Sequence, residues 1–103
     1  MFEVVHTPKF YYSGSKKWRL PSDRGFIVKR LAELTEPQQR IASERYEQLY
    51  LRRFNQKQYR EARYEANRFL QDYTNRQLQW RRQQYLALKR IERQTHVRQE
   101  NTH

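Results

Sequence analysis

The arrangement of apolar and polar residues divides the chain into three segments. Residues 1–21 show no helical period, and they contain two of the three prolines and one of the two glycines. This pattern predicts an extended, basic and aromatic arm with a turn at Ser13-Gly14-Ser15. Residues 22–34 and 35–103 instead show helical periodicity, so the sequence predicts a mainly α protein with little hydrophobic core of its own.

The segment 22–34 predicts a short helix. Ile27, Leu31 and Leu34 recur at three- and four-residue spacing, which places them on one helical face. Ser22 or Asp23 is suited to cap the first turn, because the oxygen of a short side chain accepts hydrogen bonds from the free backbone N–H groups there.

The segment 35–103 predicts one long, basic, amphipathic helix, with or without a kink, from about Glu36 to about Thr95, followed by a frayed tail. Thr35 and Gln38 have the spacing of a capping box. From Gln38 onward there is no glycine or proline, and most residues are good helix formers. A break that gives a helical hairpin is the alternative, although no turn signal supports it.

Aromatic residues and alanines form two stripes along this predicted helix, offset from each other near Asn55. The first stripe is Tyr46, Tyr50 and Phe54. The second comprises Tyr59, Ala62, Ala66, Phe69, Tyr73 and Trp80, at spacings of three, four and seven residues. A dimeric coiled coil that is stable by itself normally has leucine or isoleucine at these positions. We therefore predict that the aromatic residues of both stripes contact neighbouring proteins.

The composition predicts a chain that depends on partners. Hydrophobic residues make up 36% and charged residues 32% of the 103 residues, which leaves little apolar surface to offset the entropy lost on folding. We therefore do not expect a stable isolated monomer. Aromatic residues make up 15%, however, and disordered segments are usually poor in aromatics.

The net charge of +11, from 22 lysines and arginines against 11 acids, predicts a negatively charged partner. Arginine dominates, and its planar guanidinium binds phosphate through two parallel hydrogen bonds. Trp18 stands among cations and is suited to stack on an unpaired base. The predicted RNA-binding residues are Lys9, Lys16, Lys17, Trp18, Arg19, Arg52, Arg53, Arg60, Arg81, Arg82, Lys89 and Arg90.

The residue types needed for catalysis are not grouped in this sequence. There is no cysteine, the three histidines are far apart, and the two glycines do not form a phosphate-binding loop. We expect no catalytic residue, metal, cofactor or small-molecule substrate, and therefore no enzyme. No apolar run approaches the roughly 20 residues of a membrane span.

A basic extended arm joined to a long exposed helix resembles, as a class, the small proteins of ribosomes, particularly those of mitochondrial ribosomes. The resemblance covers the whole chain but rests on composition and architecture, not on a family motif. It implies a structural ribosomal protein in the mitochondrion, which binds ribosomal RNA and bridges neighbouring proteins in a large ribonucleoprotein.

Two other hypotheses fit the same sequence. One is a scaffold or accessory subunit without RNA, either in a respiratory or ATP-synthase complex or on the acidic wall of a microtubule in the cytoplasm. Its arginines would pair with the carboxylates of a partner instead of lying on one continuous face. The other is a free helical dimer, which predicts concentration-dependent helicity of the isolated chain.

Overall fold

Three helices follow an extended arm in the computed structural model, which describes residues 1–101 and their side chains as far as residue 95. They are α1 (Arg24–Leu31), α2 (Glu36–Phe54) and α3 (Tyr59–Asn101). The prediction of a mainly α protein is confirmed. The molecule measures 73 × 23 × 20 Å, because the 43 residues of α3 alone span about 65 Å at ~1.5 Å per residue. The last two residues of the predicted frayed tail, 102 and 103, lie outside the described range.

The prediction of one continuous helix from residue 36 to 95 is wrong, because the helix stops at Phe54 and restarts at Tyr59. The Lys57 N–H donates to the Phe54 carbonyl and the Gln58 N–H to the Arg53 carbonyl, both at 2.9 Å. This pair of bonds, with Lys57 left-handed at φ 61°, is the Schellman motif that commonly ends a helix. A left-handed lysine costs roughly 1–2 kcal/mol, which is offset because the hairpin buries the apolar faces of α2 and α3 against each other.

The two earlier helix starts follow the capping signals of the sequence. The Ser22 hydroxyl accepts a hydrogen bond from the Arg24 N–H at 3.1 Å, at the beginning of α1. The Gln38 side chain accepts from the Thr35 N–H at 3.1 Å, as the capping box at the start of α2 requires.

A small core lies where α1, α2 and the first half of α3 meet. Ala62 and Ala66 of α3 are fully buried and belong to the same apolar cluster as Tyr46 and Tyr50 of α2. The buried cluster consists of Ile27, Leu31, Leu34, Ala42, Tyr46, Tyr50, Ala62, Ala66 and Leu70. Tyr46 and Tyr50, predicted to contact other proteins, therefore pack inside the chain itself.

The arm is fixed to the helices by the buried side chain of Gln39. Its Oε1 accepts from the Val5 N–H at 2.9 Å, while its Nε2 donates to the Glu3 carbonyl at 2.8 Å and to the Leu34 carbonyl at 3.0 Å. Gln39 is 0% exposed, so these bonds satisfy the polar atoms of its own buried side chain. One glutamine thus holds the arm and the α1–α2 corner together.

The arm ends in a tight turn that displays its cations. The Ser15 and Leu20 backbones bond to each other at 2.9 Å in both directions, which closes the loop over residues 16–19. Gly14 has φ 94°, and a side chain there would lie 2.9 Å from the Leu20 carbonyl oxygen. Gly14 is therefore required by both conformation and space, but the turn itself lies at residues 16–19 and not at the predicted Ser13-Gly14-Ser15.

Candidate nucleic-acid interface

A hydrogen-bonded network fixes the start of α3 against the rest of the molecule. The Arg63 guanidinium forms two bonds of 2.9 Å to the Asp23 carboxylate, and Asn67 donates to the same carboxylate at 3.1 Å. The Tyr46 hydroxyl donates to Asn67 at 2.5 Å. Arg63 also covers the Tyr12 ring, 3.8 Å from its centre. Arm, α1, α2 and α3 thus share one network, which gives the neighbouring surface a defined shape.

One face of α3 carries an exposed stripe without acidic residues, which we call the basic stripe. Its members follow one another at three- and four-residue spacing, so they lie on one side of the helix. They are Arg60, Tyr64, Arg68, Gln71, Asn75, Leu78, Arg82, Tyr85, Lys89 and Arg93. Apart from half-buried Gln71, all are exposed. The stripe extends about 50 Å along the helix axis at ~1.5 Å per residue.

Cations and aromatic rings touch each other along this stripe. The Arg68 guanidinium lies 5.9 Å from the centre of the Tyr64 ring, and the Lys89 ammonium lies 5.6 Å from that of Tyr85. Two stripe cations also approach carboxylates on the flank of the helix, Arg68 with Asp72 at 3.8 Å and Lys89 with Glu92 at 3.5 Å. Such exposed pairs are worth little in water, so both cations are available to a stronger anionic ligand.

The turn of the arm presents a second basic surface next to the start of α3. Lys16, Lys17, Trp18 and Arg19 are all exposed, as the sequence predicts for residues that contact a partner. Trp18 is 70% exposed, and the Lys17 ammonium lies 5.2 Å from its ring centre. Lys9 is also exposed, although its backbone N–H is bound to the Glu47 carboxylate.

Three of the predicted RNA-binding arginines are engaged within the fold. Arg81 donates to the Glu33 carbonyl at 2.6 Å, which fixes the α1–α2 corner to α3. Arg52 and Arg53 both contact the Glu65 carboxylate, at 3.4 and 2.9 Å. We therefore reassign Arg81 and Arg53 to the stabilisation of the fold, whereas Arg52 keeps a more exposed side chain (58%).

The remaining predicted cations are exposed. Arg60 and Arg82 belong to the basic stripe, together with Lys89. Arg90 lies beside the stripe and, like Arg82, forms no ion pair with any residue whose side chain the structure describes.

The predicted aromatic stripes divide into an internal and an external part. Tyr50 stacks on Phe54 at 5.5 Å between ring centres, and Phe54 meets the edge of Tyr59 at 5.0 Å across the hairpin turn. Phe54 and Tyr59 are exposed, whereas Phe69 and Tyr73 are half-buried against the core. The remaining predicted contact residue is Trp80, 57% exposed where α3 leaves the body.

The projecting end of α3, residues 82–95, adds an apolar face to its basic one. All of these residues are exposed. Trp80, Ala87, Leu88 and Ile91 have spacings that place them within one arc of the helix, away from Arg82, Lys89 and Arg93. The projecting end is thus amphipathic, with no described residue covering its apolar side.

The pKa shifts follow from burial and from these ion pairs. Burial raises the pKa of the Tyr46 and Tyr50 hydroxyls, because the charged form is poorly solvated there. The hydrogen bond to Asp23 raises the pKa of the Arg63 guanidinium. The hydrogen bond from Arg53 lowers the pKa of the Glu65 carboxyl from its usual 4.5. All of these groups keep their ordinary charge at neutral pH.

Within the described part of the chain, no three histidine or acidic side chains are grouped closely enough to hold a metal ion. None of the described helices is long and apolar enough to cross a membrane.

Several residues that shape this surface were not singled out from the sequence. Arg68, Tyr64 and Arg93 belong to the same three- and four-residue series as Arg60 and Arg82, so a search for an acid-free face would have found them. Asp23 and Arg63 are 40 residues apart, and no local pattern indicates their contact.

The chain matches no protein-family model, and comparisons with curated proteins and with solved structures find no significant match.

Proposed function

We propose that this protein is a structural component of a large ribonucleoprotein, in which it binds ribosomal RNA along the basic stripe. The apolar side of the projecting end then packs against a neighbouring protein, so that α3 bridges the two. The mitochondrial ribosome is the assembly we propose, on the basis of the resemblance in composition and architecture. In this role the protein supports assembly and catalyses no reaction.

The observation that supports RNA as the partner is the length of the basic stripe along one acid-free face of α3. Its five cations lie along about 50 Å of one helix with no acidic residue among them. A backbone of regularly spaced phosphates is the natural ligand of such an extended row, and arginine is the side chain best suited to hold phosphate in two hydrogen bonds. Tyr64 within the row adds a ring face for an unpaired base.

A scaffold protein without RNA is the second candidate, and the apolar side of the projecting end favours it. Trp80, Leu88 and Ile91 are 57–59% exposed, and they suit the groove of a partner helix. On this hypothesis the cations pair with acidic side chains of a respiratory or ATP-synthase subunit, or of a microtubule.

Sedimentation of the tagged protein from its own cells, with and without ribonuclease, separates the two candidates. The proposal expects co-sedimentation with a ribosomal particle and a shift to lighter fractions after digestion. Co-sedimentation with a large particle that is insensitive to digestion would favour the scaffold instead.

A matched pair of triple variants tests whether the basic stripe is responsible for incorporation into the particle. Arg82→Gln, Lys89→Gln and Arg93→Gln together remove three cations from the stripe. Lys29→Gln, Arg40→Gln and Arg45→Gln remove the same charge from exposed positions on α1 and α2. We expect only the first set to reduce incorporation into the particle. Equal losses would show that net charge matters and the stripe does not.

A further inference from the structure

An aromatic groove lies between the turn of the arm, the end of α2 and the start of α3. Its volume is about 930 Å³, near the upper end of the roughly 300–1,000 Å³ of sites that hold small molecules. Tyr12, Trp18, Phe54, Tyr59 and Tyr64 contribute aromatic rings to its walls. Trp18, Tyr59 and Tyr64 are more than half exposed, so a large part of each of these side chains is open to a ligand.

The charged residues around the groove indicate which charge its ligand carries. Arg60, Arg63 and Arg68 line it, and none of its fourteen described lining residues is acidic. Asp23 already neutralises Arg63, so Arg60 and Arg68 supply the open positive charge. An aromatic pocket for a cation needs open ring faces and no competing positive charge, and these arginines oppose such a ligand. A purely apolar segment would remove the guanidinium groups from water without compensation. A ligand that has both a flat aromatic surface and negative charge fits the aromatic rings and the arginines of the groove.

The walls of the groove are held in place before any ligand arrives. Arg63 is fixed by its two bonds to Asp23 and by its contact with the Tyr12 ring. Phe54 and Tyr59 contact each other across the hairpin turn. Preformed platforms reduce the entropy lost on binding, which favours a ligand that must itself be ordered.

We propose that the aromatic groove binds one or two unstacked bases of single-stranded RNA. Trp18, Tyr59 and Tyr64 stack on the bases, while Arg60 and Arg68 face the adjoining phosphates. Arg60, Tyr64 and Arg68 also belong to the basic stripe, so the strand continues from the groove along α3. This inference rests on the proposed function, because it names the part of the RNA that the same surface recognises.

Fluorescence of Trp18 reports on this groove directly. The full-length Trp80→Phe variant leaves Trp18 as the only tryptophan. We would titrate it with a single-stranded RNA decamer, with an abasic oligomer of the same length, and with an RNA duplex. Stacking predicts quenching by the decamer alone and an affinity for it that is on the order of tenfold or more above that for the abasic oligomer.

Two tyrosines of equal exposure provide the matched control. Tyr64 is 61% and Tyr85 is 59% exposed, so replacing either by leucine leaves the core unchanged, which far-ultraviolet circular dichroism would verify. Tyr64→Leu is expected to remove most of the preference for the decamer over the abasic oligomer. Tyr85→Leu, outside the groove, is expected to retain both this preference and the Trp18 quenching.

The possible failures are distinguishable. If the protein binds the decamer and the abasic oligomer equally and Trp18 does not respond, the groove inference is overturned while RNA binding along the stripe stands. If no RNA binds at all, the proposed function fails together with the inference, and the groove is left to a protein segment.

Discussion

The two halves of α3 belong to one helix but differ in burial: the first half packs against the body of the protein, and the second half is exposed. Between Tyr59 and Arg81, a residue every four positions is buried: Ala62, Ala66, Leu70 and Thr74 are at most 1% exposed. Between Arg82 and Thr95 every residue is exposed, including Leu86, Leu88 and Ile91. Apolar content therefore does not decide which half is buried.

The length of α2 sets the boundary between the two halves. Because α2 runs back along α3, its first turn lies beside Gln77 and Arg81: Gln38 donates to Gln77 at 2.9 Å, and Arg81 donates to Gln38 at 3.2 Å. Beyond Arg81, none of the described helices covers α3. The first half is thus packed within the fold, and the second half is exposed as far as residue 95.

The strongest test of this comparison uses two leucines on the same face of α3. Leu70 and Leu88 are eighteen residues apart, or five full helical turns, but their exposures are 1% and 59%. Leu70→Ala is expected to lower the free energy of unfolding by about 3 kcal/mol, and Leu88→Ala by less than about 0.5 kcal/mol. Urea denaturation of both variants measures this, and equal effects would mean that the projecting end is packed in solution.

Gln39→Ala should lower the free energy of unfolding by about 2 kcal/mol, because the change removes the partner of the Leu34 carbonyl in a buried hydrogen bond and of two part-buried groups of the arm. Gln94→Ala, at an exposed position of the projecting end, is the control and should be neutral within ~0.5 kcal/mol. Proteolysis within the arm should accelerate only for the Gln39 variant. If the arm of that variant stays protected, Gln39 does not hold it in place.

Lys57→Gly should raise the free energy of unfolding by about 0.5–1 kcal/mol, since glycine adopts the left-handed conformation without steric cost. Lys57→Ala removes the same charge but keeps a side chain, so it should give little or no gain. Thermal denaturation of the two variants compares them. A gain of the same size for alanine would attribute the effect to charge instead of backbone conformation.

The smallest expected effect is the acid dependence of the α2–α3 contact. Because Arg53 lowers the pKa of Glu65 in the folded state, the pair contributes its full stability above the usual carboxyl pKa of 4.5. This contribution is lost as pH falls below 4.5 through the lowered value. Glu65→Gln should flatten that part of the stability profile.

The features that the sequence predicted correctly depend on local patterns. The capping box at Thr35 and Gln38 placed the start of α2, whereas the turn predicted at Ser13-Gly14-Ser15 forms further along the arm, at residues 16–19. The stop of α2 was missed because Lys57 occupies a position where glycine is the usual signal. In the sequence, the only sign of this helix end was the offset between the two aromatic stripes near Asn55. The offset arises because the two stripes lie on different helices, which face each other across a hairpin.

The contacts that define the candidate site depend on that hairpin, and therefore they could not be predicted from the sequence. The Asp23–Arg63 pair and the burial of Tyr46 exist only once α3 folds back on α2. Conversely, the exposure of Arg60, Arg82 and Lys89 was predictable, because each lies on a helix face that contains no core residue.

Amide hydrogen exchange along α3, with and without the single-stranded decamer, tests the division of this helix most directly. In the free protein we expect slow exchange for residues 66–81 and fast exchange for residues 84–95, because only the first group is packed against α1 and α2. The decamer should then slow exchange in residues 84–95. Uniform protection along free α3, or a projecting end whose exchange the RNA leaves unchanged, would contradict the account.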